Sequence, residues 1–321
     1  VTVAGKERVV CVTGGTGFIG GHLVSALDAA GDSSVRMLLR GGPEGIDEAR
    51  LSAIAVRGDL LDEGAVCRFV SPGAVVVNLA FAGGASPEVN RKMAANLAAA
   101  CAVAPAAHLI HCSTAVVTGR PDIDIVDETV PCRPVTPYQA SKLEIEQLLA
   151  ERLEGRCPLT ILRPTAVFGE GGNNLCRLID ALVGRPWLLT VMSATLFAQR
   201  RLHLVSVENV VAAIRFVLSG GGALDNEVFI VSDDEAPENN YREVLNIAAR
   251  ELGVRPVPSW QLPFGEAVAE RALRLAGRTD PNPRRIYSSR KLTERGFRRR
   301  VELPEAIARF ARAYTAAADQ R

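Results

Sequence analysis

Residues 8–22 read RVVCVTGGTGFIGGH, and the fold is decided there. A β-branched run ends in glycines at positions 14, 17 and 20, and an amphipathic pattern from Phe18 to Ala30 follows at once. Strand, tight turn and helix are therefore expected in immediate succession. Glycine at the first position permits the turn, at the second lets backbone approach a pyrophosphate, and at the third lets the helix pack close to the sheet. The helix N-terminus then faces the anion. A glycine triplet by itself also serves ordinary turns; the flanking strand and helix point to dinucleotide binding, with Gly14, Gly17, Phe18, Ile19 and Gly20 at the pyrophosphate.

The same alternation continues through the first half of the chain. Strand patterns SSVRMLLR, SAIAVRGDL, AVVVNLAFA, HLIHCSTAV and PLTILRPTAV are separated by helical patterns, including one near Pro87–Val103 and one opened by Thr136. Such an order requires parallel strands with right-handed crossovers, a doubly wound α/β sheet of the Rossmann type. Residues 1–168 are read as the dinucleotide-binding domain, with 203–232 (HLVSVENVVAAIRFVLS and EVFIVSD) returning to it. Residues 169–321, mainly 169–202 and 233–321, are read as a smaller, mainly helical substrate-binding lobe.

Composition narrows the function classes. Lys plus Arg number 37 against 36 Asp plus Glu, so no protein-wide field recruits nucleic acid or an anionic membrane. The seven cysteines are scattered without CxxC spacing and read as reduced thiols of a cytoplasmic protein. The four histidines lack metal-ligand spacing, and His111 reads as a satisfied strand residue. No apolar run is long enough for a membrane span, and the first residues lack signal-peptide character.

Past the glycines, the second strand ends at Arg40, where an NAD site usually offers a carboxylate. This favours NADP over NAD, against the plainer reading of Arg40 as a solvated strand end. Asp59, closing the third strand, is placed to accept the adenine amino group, or to serve as a turn aspartate.

The stretch TPYQASK at 136–142 sets Thr136 three places before Gln139, the form of a capping box, with Pro137 at the first helical position. Tyr138 and Lys142, four residues apart, then share one helix face. A tyrosine with a pKa of about 10 is a poor base at neutral pH. A nearby ammonium and a cationic nicotinamide are expected to lower it toward the working pH. Ser113 and Thr114 at a strand end supply hydroxyls that could hold the substrate alcohol.

These residues together resemble the extended short-chain dehydrogenase/reductase superfamily and, within it, the NAD-dependent epimerase/dehydratase group that acts on nucleotide sugars. The resemblance covers nearly the whole chain. It implies that Asp59 and Leu60 of GDLLD, Leu79 and Ala80 of NLA, Asn90, and Pro164 of LRPTAVFGEG line the cofactor. It places Thr114, Tyr138 and Lys142 as the catalytic set, with Tyr138 and Lys142 also touching the cofactor and Ser113 and Thr114 the substrate. Asn174 of GNNL, with Arg200 or Arg201, would hold the substrate diphosphate. Departures occur: Leu202 stands where the family carries its phosphate-gripping arginine, and Ala115 and Val116 replace the Asp-Glu of the sugar dehydratases.

The implied activity is nucleotide-sugar 4-epimerisation through a transient 4-keto sugar, as in surface-polysaccharide or other glycan synthesis. The alternative is an NADPH-dependent 4-ketoreductase, and a third reading is a dinucleotide-sensing protein without chemistry. A homodimer would be usual for such relatives. The basic stretch 284–300 reads as a solvated face or a phosphate or membrane contact, and FGEAVAERALRLAGR as a lobe helix or an interfacial one.

Overall fold

The computed structural model describes residues 8–31, 33–41, 54–220, 223–258 and 282–318; the stretch FGEAVAERALRLAGR lies outside the described residues. In chain order the elements of the first half are β1 (Arg8–Thr13), α1 (Phe18–Ala30), β2 (Ser33–Leu39), β3 (Ile54–Arg57), α2 (Glu63–Phe69), β4 (Val75–Asn78), α3 (Pro87–Val103) and β5 (His108–Cys112). Then come β6 (Ile125–Val126), α4 (Pro137–Leu153), β7 (Leu159–Pro164), β8 (Ala166–Phe168), α5 (Cys176–Gly184), α6 (Trp187–Leu196), β9 (Leu204–Ser206) and α7 (Val207–Ser219). The chain finishes with β10 (Val228–Val231), α8 (Tyr241–Glu251), β11 (Ile286–Tyr287), α9 (Arg290–Glu294) and α10 (Leu303–Ala318).

Seven strands form one sheet in the order β10-β7-β5-β4-β1-β2-β3. The registers from β7 across to β3 are parallel. Order reverses beside β1, and the glycine turn leaves the sheet there, at the switch point where α/β sheets bind ligands. Parallel strands buried on both faces explain the near-continuous apolar text of β1, β4 and β5. Cys11, Val76, Leu109 and Ile161 alternate onto one face and pack with Phe69 of α2, Leu97 of α3 and Leu149 of α4. Phe69, Leu97 and Leu149 are wholly buried, each worth about 1.5–3 kcal/mol.

The start of α4 is fixed as its sequence predicts. Thr136 Oγ1 accepts the Gln139 amide at 3.3 Å, and Gln139 Oε1 accepts the Thr136 and Val135 amides at 3.2 and 2.7 Å. The helix is held in place by packing along α3.

Two compact units share the chain: Val1–Gly119, Cys132–Arg163 and Val211–Phe229 in the first, Arg120–Pro131, Pro164–Val210 and Ile230–Arg321 in the second. The sequence reading returned 203–232 to the first unit; packing returns 211–229 and assigns Arg120–Pro131 to the second, because Ile125 and Val126 pair with Ile286 and Tyr287. The second unit has its own core, with Phe168, Ile179, Leu204, Val244, Ile307 and Phe310 among its buried residues. Within the basic stretch, Arg284, Arg290, Arg295, Arg298 and Arg300 are exposed, as a solvated face requires, while two arginines are engaged within that unit. Arg285 is buried and donates to the Pro121 carbonyl at 2.7 Å, and Arg299 pairs with Asp233 at 3.0 Å and with Glu235. Among the described residues, no helix is long and apolar enough to cross a membrane.

Because Thr136 satisfies an amide that α4 otherwise leaves unpaired, Thr136→Ala should lower stability by about 1 kcal/mol in urea titrations.

Candidate active site

Two glycines of the turn, Gly14 and Gly20, leave no room for a side chain. Gly14 sits at φ +71°, and a Cβ there would lie 2.8 Å from the Ala80 amide nitrogen. A Cβ on Gly20 would overlap the Gly14 carbonyl oxygen. Gly17 is the N-cap of α1 and supplies no side-chain cap, so the helix end presents bare amides with no acidic residue in its first turn. A glycine-rich turn with bare backbone at Gly14, Gly17 and Gly20, opening a 13-residue helix, fits a pyrophosphate. Arg40 is exposed at the end of β2. Asp59 Oδ1 accepts the Leu61 amide at 2.8 Å, so the turn role that the sequence allowed is one it fills.

Under the rim of the sheet, an apolar row gives way to a polar one. Thr13, Asn78 and His111 are register partners across β1, β4 and β5. Thr13 Oγ1 donates to Asn78 Oδ1 at 2.7 Å, which turns Asn78 Nδ2 toward His111 Nδ1 at 3.1 Å. Nδ1 is thereby the acceptor, and this network assigns the imidazole proton to Nε2. Burial, and then the Lys142 charge, push the His111 pKa down to about 3, so the ring is neutral. Among the described residues, Nε2 of His111 and Oγ of Ser113 are buried without a hydrogen-bond partner; His111 is thus only half satisfied.

The sequence-predicted catalytic residues converge in the first unit. Thr114 follows β5 in extended backbone at φ −157°, and its hydroxyl shares a hydrogen bond with the Tyr138 side chain. Tyr138, on the first turn of α4, is 46% exposed, whereas Lys142 one turn later is 6% exposed. Lys142 Nζ donates to the Cys112 carbonyl at 3.1 Å and lies 4.5 Å from the centre of the Phe81 ring. That ring stands at 89° to Tyr138 with centroids 5.4 Å apart.

The expected depression of Tyr138 is not what this geometry produces. Burial, then the Cys112 thiol, raise its pKa above the ordinary tyrosine value, with the Thr114 hydrogen bond opposing. Lys142 is itself held below the usual lysine range by burial, while Cys112 and Glu146 pull it upward. The amine is spent on a carbonyl and a ring.

Asn90, expected beside the cofactor, grips the backbone of Ala82: Oδ1 accepts its amide at 2.8 Å and Nδ2 donates to its carbonyl at 3.0 Å. Leu79 and Ala80 line the glycine turn. Leu60 is buried, its carbonyl accepting from Asn96 at 2.8 Å. In the second unit, Pro164 ends β7, Asn174 Nδ2 donates to the Val167 carbonyl at 2.6 Å, and Arg201 Nη1 to the Ala236 carbonyl at 2.7 Å. Arg200 is partly exposed. Phe81, Asn78 and His111 were missed as site residues. The text NLAF at a strand end was the available signal, but which side chain meets α4 depends on packing.

Comparison with known proteins identifies relatives of the chain. The pattern of the NAD dependent epimerase/dehydratase family matches residues 10–231. A UDP-glucose 4-epimerase of Azospirillum brasilense is 34% identical over 161 residues, covering 46% of this chain and 45% of that protein. A 4-hydroxy-2-methyl-3-oxo-4-farnesyl-3,4-dihydroquinoline-1-oxide ketoreductase of Stigmatella aurantiaca is 32% identical over 182 residues, covering 53% and 54%. The chain thus spans about half the length of these curated relatives. The crystal structure of Thermus thermophilus UDP-glucose 4-epimerase in complex with NAD superimposes with a TM-score of 0.68 at 25% identity, covering 97% of this chain and 100% of that one.

Two outcomes follow from the geometry. Gly20→Ala should cost about 2 kcal/mol or more in urea titrations and weaken dinucleotide binding measured by calorimetry. For His111, the unfolded imidazole takes up a proton below pH 6.5 while the folded one resists until about 3, so acidification favours unfolding across that window. His111→Gln should flatten the fall in stability between those limits, read as the difference between variant and wild-type urea curves at successive pH values.

Proposed function

The chain belongs to the NAD dependent epimerase/dehydratase family, and we propose that it is a nucleotide-sugar 4-epimerase working through a transient 4-keto sugar. The observation that carries this reading is the hydrogen bond between Tyr138 and Thr114 with Lys142 one turn away, in the unit that holds the bare glycine turn. Gly14, Gly17 and Gly20 would hold the pyrophosphate of a nicotinamide dinucleotide, Phe18 and Ile19 would follow it into α1, and Leu79 and Ala80 would lie along it. Once bound, that group supplies the ring that accepts and returns hydride.

Tyr138 Oη takes the proton from the sugar hydroxyl and later gives it back. Thr114 Oγ1 holds the same substrate oxygen and keeps Tyr138 in line. Because burial raises the Tyr138 pKa in the protein alone, the phenolate would need further positive charge, which an oxidised nicotinamide would supply when bound. Asn174 with Arg200 or Arg201 would hold the diphosphate. Regeneration of the dinucleotide within one turnover makes an added cofactor unnecessary.

A second reading is a 4-ketoreductase that consumes NADPH. It is favoured by Arg40, exposed where an NAD site carries a carboxylate, and by the ketoreductase among the relatives.

Incubating the purified protein with UDP-hexoses and no added cofactor should give the 4-epimer. Inertness until NADPH and a 4-keto sugar are supplied would select the ketoreductase, and inertness under both conditions would reject both readings. Tyr138→Phe should lower the rate by about 10²–10⁴-fold with dinucleotide binding retained.

A further inference from the structure

Phe81 occupies a place that its neighbours define tightly. Before it, Ala80 backbone lies so close under Gly14 that a Cβ there would stand 2.8 Å from the Ala80 nitrogen. After it, the Asn90 amide clamps both the N–H and the C=O of Ala82. With both flanking residues pinned, the ring between them is directed. It reaches the Lys142 ammonium, 4.5 Å from its centre, and stands at right angles to Tyr138 at 5.4 Å.

We propose that Phe81 is a positioning residue for the Tyr138 and Lys142 pair: the negative face of its ring holds the ammonium against the Cys112 carbonyl while its packing on Tyr138 keeps that phenol over Thr114. The face of an aromatic ring attracts a cation most strongly where water is excluded, and Lys142 is almost wholly buried. The other charged or titratable groups around the amine are few. From β5 come the Cys112 thiol and His111, the latter held neutral by burial. From α4 itself come Tyr138 and Glu146, and Glu146 is engaged by Arg163 of β7, with 3.1 Å from Nε to Oε1 and 2.5 Å from Nη2 to Oε2. Phe81 and the Cys112 carbonyl are therefore the uncharged groups that steady the cation. The inference rests on the proposed function only for why Lys142 must stay charged.

Lys142 is one of four lysines, with Lys6, Lys92 and Lys291, so its side-chain signal can be followed directly. The protein is labelled with ¹³C-lysine, the signal is assigned with Lys142→Met, and its titration is recorded by NMR with neither cofactor nor substrate present. Phe81→Leu, which keeps apolar volume but lacks a ring face, should lower the Lys142 midpoint by about half a unit to one unit. Phe81→Trp, which keeps the face, should leave it in place. Replacement by 4-cyanophenylalanine, which drains the ring face at nearly constant shape, should shift it in the same direction as leucine and serves if leucine perturbs the other three lysine signals. An unchanged midpoint in the leucine and cyano proteins overturns the proposal, as does an equal shift with tryptophan. Neither result depends on which sugar the enzyme takes.

Discussion

The site depends on one buried cation. α4 carries Lys142 to the C-terminal rim of the sheet, where the amine loses nearly all its water. An uncompensated ammonium in such a place would cost several kcal/mol. What it receives is the Cys112 carbonyl, the face of Phe81 and the field of a glutamate already paired with Arg163. Compensation is therefore real but partial, and the downward pull on its pKa records the remainder. The helix accepts this position because Ile145, Leu148 and Leu149 lock it onto the sheet and Thr136 fixes where it begins.

Around that cation the chain places neutral or fixed groups. Thr13 and Asn78 orient His111 so that it presents an N–H, and burial keeps it from adding a second positive charge. The half-satisfied imidazole and the unpartnered Ser113 hydroxyl are the polar groups that a fold optimised for stability alone would replace with aliphatic side chains. They lie on the face that packs on α4, next to Thr114, Tyr138 and Lys142. Glycine serves the same purpose at the neighbouring turn, where backbone meets backbone at a distance that excludes any Cβ.

The relation between text and structure differs by kind of claim. Strands, crossovers and the α4 cap were legible, because each follows from periodicity or from a donor and acceptor a few residues apart. The identity of Thr114, Tyr138 and Lys142 was legible as a pattern, and the fold brings them together. Their electrostatics were not: the expectation of an acidic tyrosine counted on an ammonium together with a cationic nicotinamide, and in the protein alone desolvation and Cys112 raise the Tyr138 pKa. Asn90 shows a related gap, since its sequence position gave no sign that its amide holds the backbone of Ala82.

The sequence by itself determined that a parallel α/β sheet forms, that its first turn presents bare glycine backbone at a helix start, and that a hydroxyl, a phenol and an amine meet at its rim. Those features depend on residues close together in the chain and on the short menu of backbone conformations they allow. Only the tertiary structure decided how deeply each group is buried, which partner each amide keeps, and that Phe81 stands between the phenol and the amine. Burial and partner choice are set by segments remote in sequence, and desolvation, which sets the direction of every large pKa shift here, has no signature in local sequence.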